Sequence, residues 1–181
     1  NQRIKDMCKS GADIIDIGGE STRPGSRIIP QKTELQRVKQ VIKSFKRKFP
    51  NTLLSVDTRK SLVMNFSKKH GLDIINDVSC FKFDPKSFDI IKNQKLWKII
   101  HHMQGTPQTM QKRPSYKHVL LDIYDFFERE IEMFRNLKYC KKLILDPGIG
   151  FGKNLKHNLM ILNKISLFHS LGFPILIGTS K

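Results

Sequence analysis

Three polar residues stand at or beside the ends of short apolar runs. Asp57 closes LLSVD, Asn76 lies in DIIND, and Asp146 closes LILD. A carboxylate at the end of an apolar strand is costly unless something pairs with it. Asp57 therefore either caps the helix that begins near Arg59 or faces a ligand. Thr58 is a competing cap, which leaves Asp57 free. An amide offers donors and an acceptor together, so Asn76 suits the edge of a heterocycle, with turn formation as the alternative. Asp77 reads more readily as a turn former before Ser79. Two carboxylates and an amide complement an aminopyrimidine-like ring, which displays N–H donors beside acceptors.

Two loops could serve the rest of such a ligand. GADIIDIGGESTRPG (11–25) runs from apolar residues into two glycines, Glu20, Ser21, Thr22, Arg23 and Pro24. The hydroxyls and guanidinium suit phosphate or carboxylate, although Ser21 and Thr22 would also serve as ordinary loop caps. LILDPGIGFGK (143–153) carries glycines that let backbone approach a ligand closely, and Phe151 either stacks on a flat ring or packs the loop. His101 and His102 lack a spaced acid or Cys partner and read as pocket-lining or tautomer-fixed groups, not metal ligands. No Ser-His-Asp order, HExxH or Walker pattern occurs, so no catalytic nucleophile and no metal-ligand residue is assigned.

These residues need strands to hold them. Apolar runs near 13–17, 52–57, 73–77, 97–102, 143–146 and 174–178 alternate with helical periodicity near 1–10, 31–48, 59–70, 85–94, 117–137 and 155–171. Leu35, Val38, Val41, Ile42 and Phe45 share one helix face, as do Leu120, Ile123, Phe127, Ile131 and Phe134. Gly71 and Gly172 are placed as helix-ending glycines. Strands apolar on both faces point to a parallel sheet covered by helices. A doubly wound sheet gathers its site at one switch point. A (β/α)8 barrel rings one mouth with every strand end. All six strands here end in polar residues, so the expected fold is α/β, a (β/α)8 TIM barrel with about six βα units in this sequence. It forms one domain over 1–181. A full barrel takes typically ~250 residues, so about one unit is expected before residue 1 and one or more after residue 181.

Composition narrows the class. The hydrophobic fraction is 39% and the apolar runs are too short to span a bilayer. Three widely spaced cysteines without a CxxC pair suggest reduced thiols and a cytoplasmic protein. The formal charge is +17. Its lysines lie along helix faces without interleaved aromatics, which argues against nucleic-acid binding. The field would still collect small anions.

Taken together, DIIDIGGESTRPG, SVDTRK, IINDVS, HHMQGTPQTMQ, LDPGIGFGKN and IGTSK resemble the dihydropteroate synthases, in that family's order and close to its spacing. Pterin-dependent methyltransferases share the barrel and acidic site but would not be expected to carry GGESTRPG with HMQGTPQTMQ. The resemblance implies condensation of 6-hydroxymethyl-7,8-dihydropterin pyrophosphate with p-aminobenzoate, giving 7,8-dihydropteroate and pyrophosphate in folate biosynthesis. It implies Mg²⁺ as cofactor and a homodimer as the expected assembly. Matched residue by residue, Asp57, Asn76 and Asp146 hold the pterin, and Phe151 walls its pocket. Thr22 contacts the pyrophosphate end. Arg23 and Pro24 lie in a mobile loop that closes the p-aminobenzoate site. Several departures are visible. The family's N-x-T-P-D-S-F loop, with its metal-contacting Asn, and its late Arg and His are not in this sequence. His101 stands where a Met is common, and Lys181 takes the position of an Arg.

Overall fold

The computed structural model describes residues 2–179. The strands are β1 (Ile14–Gly18), β2 (Leu53–Asp57), β3 (Ile74–Asp77), β4 (Trp97–His101) and β5 (Leu143–Asp146). The helices are α1 (Gln2–Lys9), α2 (Gln31–Lys48), α3 (Ser61–Lys68), α4 (Ser87–Ile91), α5 (Val119–Glu132), α6 (Leu155–Asn163) and α7 (Ser166–His169). All five strands are parallel and follow one another in the order β1-β2-β3-β4-β5. That unreversed order is the wall of a barrel and excludes a doubly wound sheet, in which the order turns back.

The register sorts every strand residue to one of two faces. Gly18 pairs with Asp57, Asp57 with Asn76, Asn76 with Ile99, and His101 with Asp146. Ile15, Leu54, Val56, Ile75, Ile100, Leu143 and Leu145 lie on the opposite face. They pack against Val38, Ile42 and Phe45 of α2, Val63 and Met64 of α3, and Ile123 and Phe127 of α5 in one apolar core. Alternation along each strand therefore sends one set of residues to the helices and the other to the inner face, where Asp16, Ser55, Asp57, Asn76, His101 and Asp146 stand among Ile14, Ile74, Ile99 and Ile144. Two polar strand residues fall on the helix side, Asp77, which pairs with Ile100, and Lys98, both fully buried. Lys98 Nζ donates to the Gln94 carbonyl at 2.8 Å, and burial pulls its ammonium down to about 8.

The sixth expected strand, near 174–178, is reduced to one bridge between Ile175 and Leu145. Leu145 N donates to Pro174 O and Leu176 N to Leu145 O, both at 2.9 Å. The segment sits beside β5, as a sixth barrel unit should, but without a regular ladder. The helix expected over 155–171 is interrupted between α6 and α7, where Lys164 adopts φ −120° and ψ 27°, outside the helical range. The helices expected over 85–94 and 117–137 are shorter than their apolar periodicity suggested. The residues that extend those patterns pack from irregular turns, as Phe134 does, fully buried beyond the end of α5. The assignment of Lys181 lies outside the described residues.

Candidate active site

The C-terminal strand ends converge as the sequence pattern requires, and the inner face presents acceptors. Asp57 and Asn76 are register partners on adjacent strands. Asp57 Oδ1 and Asn76 Oδ1 are buried and find no hydrogen-bond partner among the described residues. Asn76 Nδ2 is occupied: it donates to Asp16 Oδ2 at 3.2 Å. That bond sets the amide with its carbonyl free. Asp146 lies across the face on β5. Its Oδ1 accepts from Gly148 N at 2.8 Å, and its Oδ2 lies 3.1 Å from His101 Nδ1.

Burial pushes the Asp57 carboxyl well above the usual carboxylate range. The neighbouring acids Asp16, Asp77 and Glu34 push in the same direction, and Arg59 opposes them. A carboxyl held in this state lacks the donors that would stabilise its anion. A ligand bringing N–H groups supplies them.

Neither proposed cap of α3 holds. Among the described residues no side chain accepts at its N-cap, Lys60. Ser61 N donates instead to Asp84 Oδ2 at 2.9 Å. Thr58 Oγ1 turns to Glu34 Oε1 at 2.5 Å, while its own oxygen receives Lys60 N at 3.2 Å. Asp57 is left facing inward. Asp77, by contrast, forms the turn. It accepts from Ser79 N at 2.7 Å, Ser79 Oγ at 2.6 Å and Phe81 N at 3.2 Å, and burial raises its carboxyl to about 6.

The two loops meet above these strand ends. Thr22, Arg23 and Pro24 line a cavity of about 630 Å³ with Met110, Ile149, Gly150, Phe151, Asn158 and Thr179. Phe151 meets the His101 ring edge-on at a centroid distance of 4.6 Å. Ser21 serves the loop itself, accepting from Arg23 N at 3.4 Å. A second cavity of about 330 Å³ lies toward β3 and β4, lined by Arg59, Val78, Ser79, His101, Met103 and Pro107 among others. Gly148 adopts φ +67°, and a Cβ there would fall 2.0 Å from the His102 carbonyl oxygen. The glycine is what lets the β5 loop press against the β4 loop.

Lys153 ties the same two loops together. Its Nζ lies 2.9 Å from His102 Nδ1, 2.9 Å from Phe151 O and 3.3 Å from His102 O. Burial pulls its ammonium down to about 7. His102, held neutral by burial and by Lys153, is a structural acceptor. His101 is the pocket-lining partner of Asp146.

Sequence reasoning passed over Asp16, Glu20, Lys153 and the acid partner of His101. Asp16 had a local signal: it alternates with Ile15 and Ile17, so it must face away from the helices. The others pair over sequence separations that no local pattern carries. Among the described residues, no group of three or more His, Cys, Asp or Glu could hold a metal ion. No step is assigned to a metal ion.

Comparisons with known proteins bear on the family and the fold. The family model described as "Pterin binding enzyme" matches residues 1–181. The dihydropteroate synthase of Escherichia coli K12 is 40% identical over 176 residues, which is 97% of this chain and 62% of that protein. That of Synechocystis is 35% identical over 180 residues, 99% of this chain and 62% of the relative. A crystal structure of Yersinia pestis dihydropteroate synthase in a sulfonamide drug complex superposes with a TM-score of 0.94 at 39% identity. The match covers 99% of this chain and 65% of that one. Xanthomonas albilineans dihydropteroate synthase with 4-aminobenzoic acid gives a TM-score of 0.89 at 32% identity, over 99% of this chain and 63% of that one. The chain thus spans somewhat under two thirds of these relatives' length and shares their (β/α)8 barrel fold. With a family model matched end to end over a barrel wall that carries this inner-face site, the chain belongs to the pterin-binding enzyme family.

Proposed function

We propose that the protein is a dihydropteroate synthase, joining 6-hydroxymethyl-7,8-dihydropterin pyrophosphate to p-aminobenzoate in folate biosynthesis. The observation that carries the reading is the pair of buried, unpartnered acceptors, Asp57 Oδ1 and Asn76 Oδ1, at adjacent strand ends. They match the N–H-rich edge of a pterin, and Asp146 adds a third acceptor across the face. Phe151 walls the ring. Thr22 points the site's hydroxyl chemistry at the pyrophosphate end. Arg23 and Pro24 close over the aniline.

In this reading the bond between the pterin methylene carbon and the pyrophosphate oxygen breaks, and the aniline nitrogen bonds to that carbon and loses a proton. Pyrophosphate is already a good leaving group, so the chain's residues hold, orient and exclude water more than they activate. Burial raises the thiol pKa of Cys80, and its Sγ is turned to the His101 carbonyl at 3.1 Å, which suits no nucleophilic role. The net charge of +17 favours capture of two anionic substrates. Mg²⁺ enters the proposal as an ion carried by the pyrophosphate, a homodimer as the assembly, and the cytoplasm as the location. Among the described residues no helix is long and apolar enough to cross a membrane. Pyrophosphate release from the pterin substrate that depends on added p-aminobenzoate tests the reading. Release without p-aminobenzoate, or none in the full-length protein, refutes it.

A further inference from the structure

The loop that carries Thr22, Arg23 and Pro24 is held at its stem by a buried charge network that the proposed reaction does not use. Glu20 Oε1 accepts from Arg59 Nη2 at 2.5 Å, and its Oε2 from Lys60 Nζ at 2.6 Å and from Ile29 N at 2.9 Å. Lys60 Nζ also meets Glu34 Oε2 at 2.7 Å. The four side chains are at most 6% exposed, and two acids balance two bases. Outside this network, Arg59 stacks over the Phe83 ring at 4.3 Å and Arg37 Nη1 donates to Gly19 O at 2.9 Å.

One carboxylate thus joins the first and last residues of the 20–29 loop and fastens both to Arg59 and Lys60. Those residues immediately follow Asp57 and Thr58. The tip is held more lightly. Gly25 N donates to Pro107 O at 3.0 Å, and Gln108 Nε2 to Ser26 O at 3.1 Å. We propose that Glu20 is a positioning residue: it clamps the loop's stem to the end of β2, so that Arg23 and Pro24 are placed relative to a ring held by Asp57. The proposal rests on the synthase reading for what the loop closes over, and on the structure alone for the clamp.

Glu20→Gln removes the charge, leaves Lys60 paired with Glu34, and strips Arg59 of its ion-pair partner among the described residues. A placement error of about 1 Å costs on the order of 100-fold in rate. In the full-length protein, Glu20→Gln is therefore expected to lower kcat/KM for p-aminobenzoate by roughly tenfold to 100-fold, while pterin pyrophosphate affinity stays within about twofold. Amide hydrogen exchange across 21–28 should accelerate with α5 unchanged. Glu20→Asp keeps the charge on a shorter stem and should recover part of the loss. If Glu20→Gln does not fold, Glu20→Asp is measured in its place, with the same split and the same local acceleration expected. Unchanged exchange in 21–28, or a loss confined to pterin affinity, overturns the clamp in either variant. If the wild-type protein makes no product, the functional reading fails, while the exchange comparison still decides the clamp.

Discussion

Replacing Asp57 by alanine should move stability and binding in opposite directions. In the unliganded protein Asp57 Oδ1 is buried without a partner among the described residues, and Asp16, Asp77 and Glu34 crowd it with like charge. An unsatisfied buried polar group costs about 1–3 kcal/mol. Its removal is offset in part by the methylene and carboxyl packing lost, so a net gain of about 1 kcal/mol is expected, or about 3 °C in Tm for a chain of this size. Binding should suffer instead. Hydrogen bonds to a charged group contribute about 1.5–3 kcal/mol each. Loss of two to a pterin ring gives at least about 3 kcal/mol, near 150-fold in Kd. The sign with pH follows from the raised carboxyl. Its folded-state pKa lies above the unfolded value, so its contribution is fully present below about 3.8 and is lost as pH rises through the folded value. The Tm advantage of Asp57→Ala should therefore grow from pH 4 toward neutrality. Thermal unfolding across that range, paired with calorimetric titration of pterin pyrophosphate, measures both effects. A variant less stable than wild type at pH 7, or one with unchanged affinity, would refute the assignment of Asp57 as a strained binding group.

Other substitutions probe the surrounding frame. Arg23→Ala should raise the p-aminobenzoate KM and lower turnover in steady-state kinetics; a change confined to pterin affinity would contradict its place in the closing loop. Lys153→Met strands the His102 and Phe151 acceptors and should cost roughly 2–4 kcal/mol in urea unfolding at pH 7. Because burial holds the Lys153 pKa at about 7, below its unfolded value, wild-type stability should fall as pH drops from about 10.5 to about 7, and the variant should lose that slope. Gly148→Ala places a Cβ 2.0 Å from the His102 oxygen at a left-handed φ. It should cost at least about 2 kcal/mol, and a urea midpoint equal to wild type would rule out the close approach of the two loops.

Much of the fold was legible because its signals are local. Alternation of LLSV and LILD with helical periodicity marked β2, β5 and α2, whose bounds at Gln31–Lys48 coincide with the apolar stripe. The misplaced ends of α4 and α5 and the break after α6 are tertiary effects. There packing overrides periodicity, and Phe134 is buried from a turn although it continues a helical stripe. The sixth strand failed to form a ladder because strand identity depends on a partner's hydrogen bonds, which propensity does not supply.

By itself the sequence determined which residues end the strands and therefore which could share a site. Strand period and chain order impose that on Asp57, Asn76 and Asp146. It also carried, through its joined motifs, the family to which the chain belongs. Tertiary structure alone decided which of those groups is free. Asp16 takes the Asn76 amide, His101 and Gly148 take Asp146, Ser79 and Phe81 take Asp77, and nothing among the described residues takes Asp57 Oδ1. Partner choice is set by distances of about 3 Å between residues far apart in the chain. Whether a carboxylate is a cap, a turn or a binding group is therefore settled only once the strands are side by side.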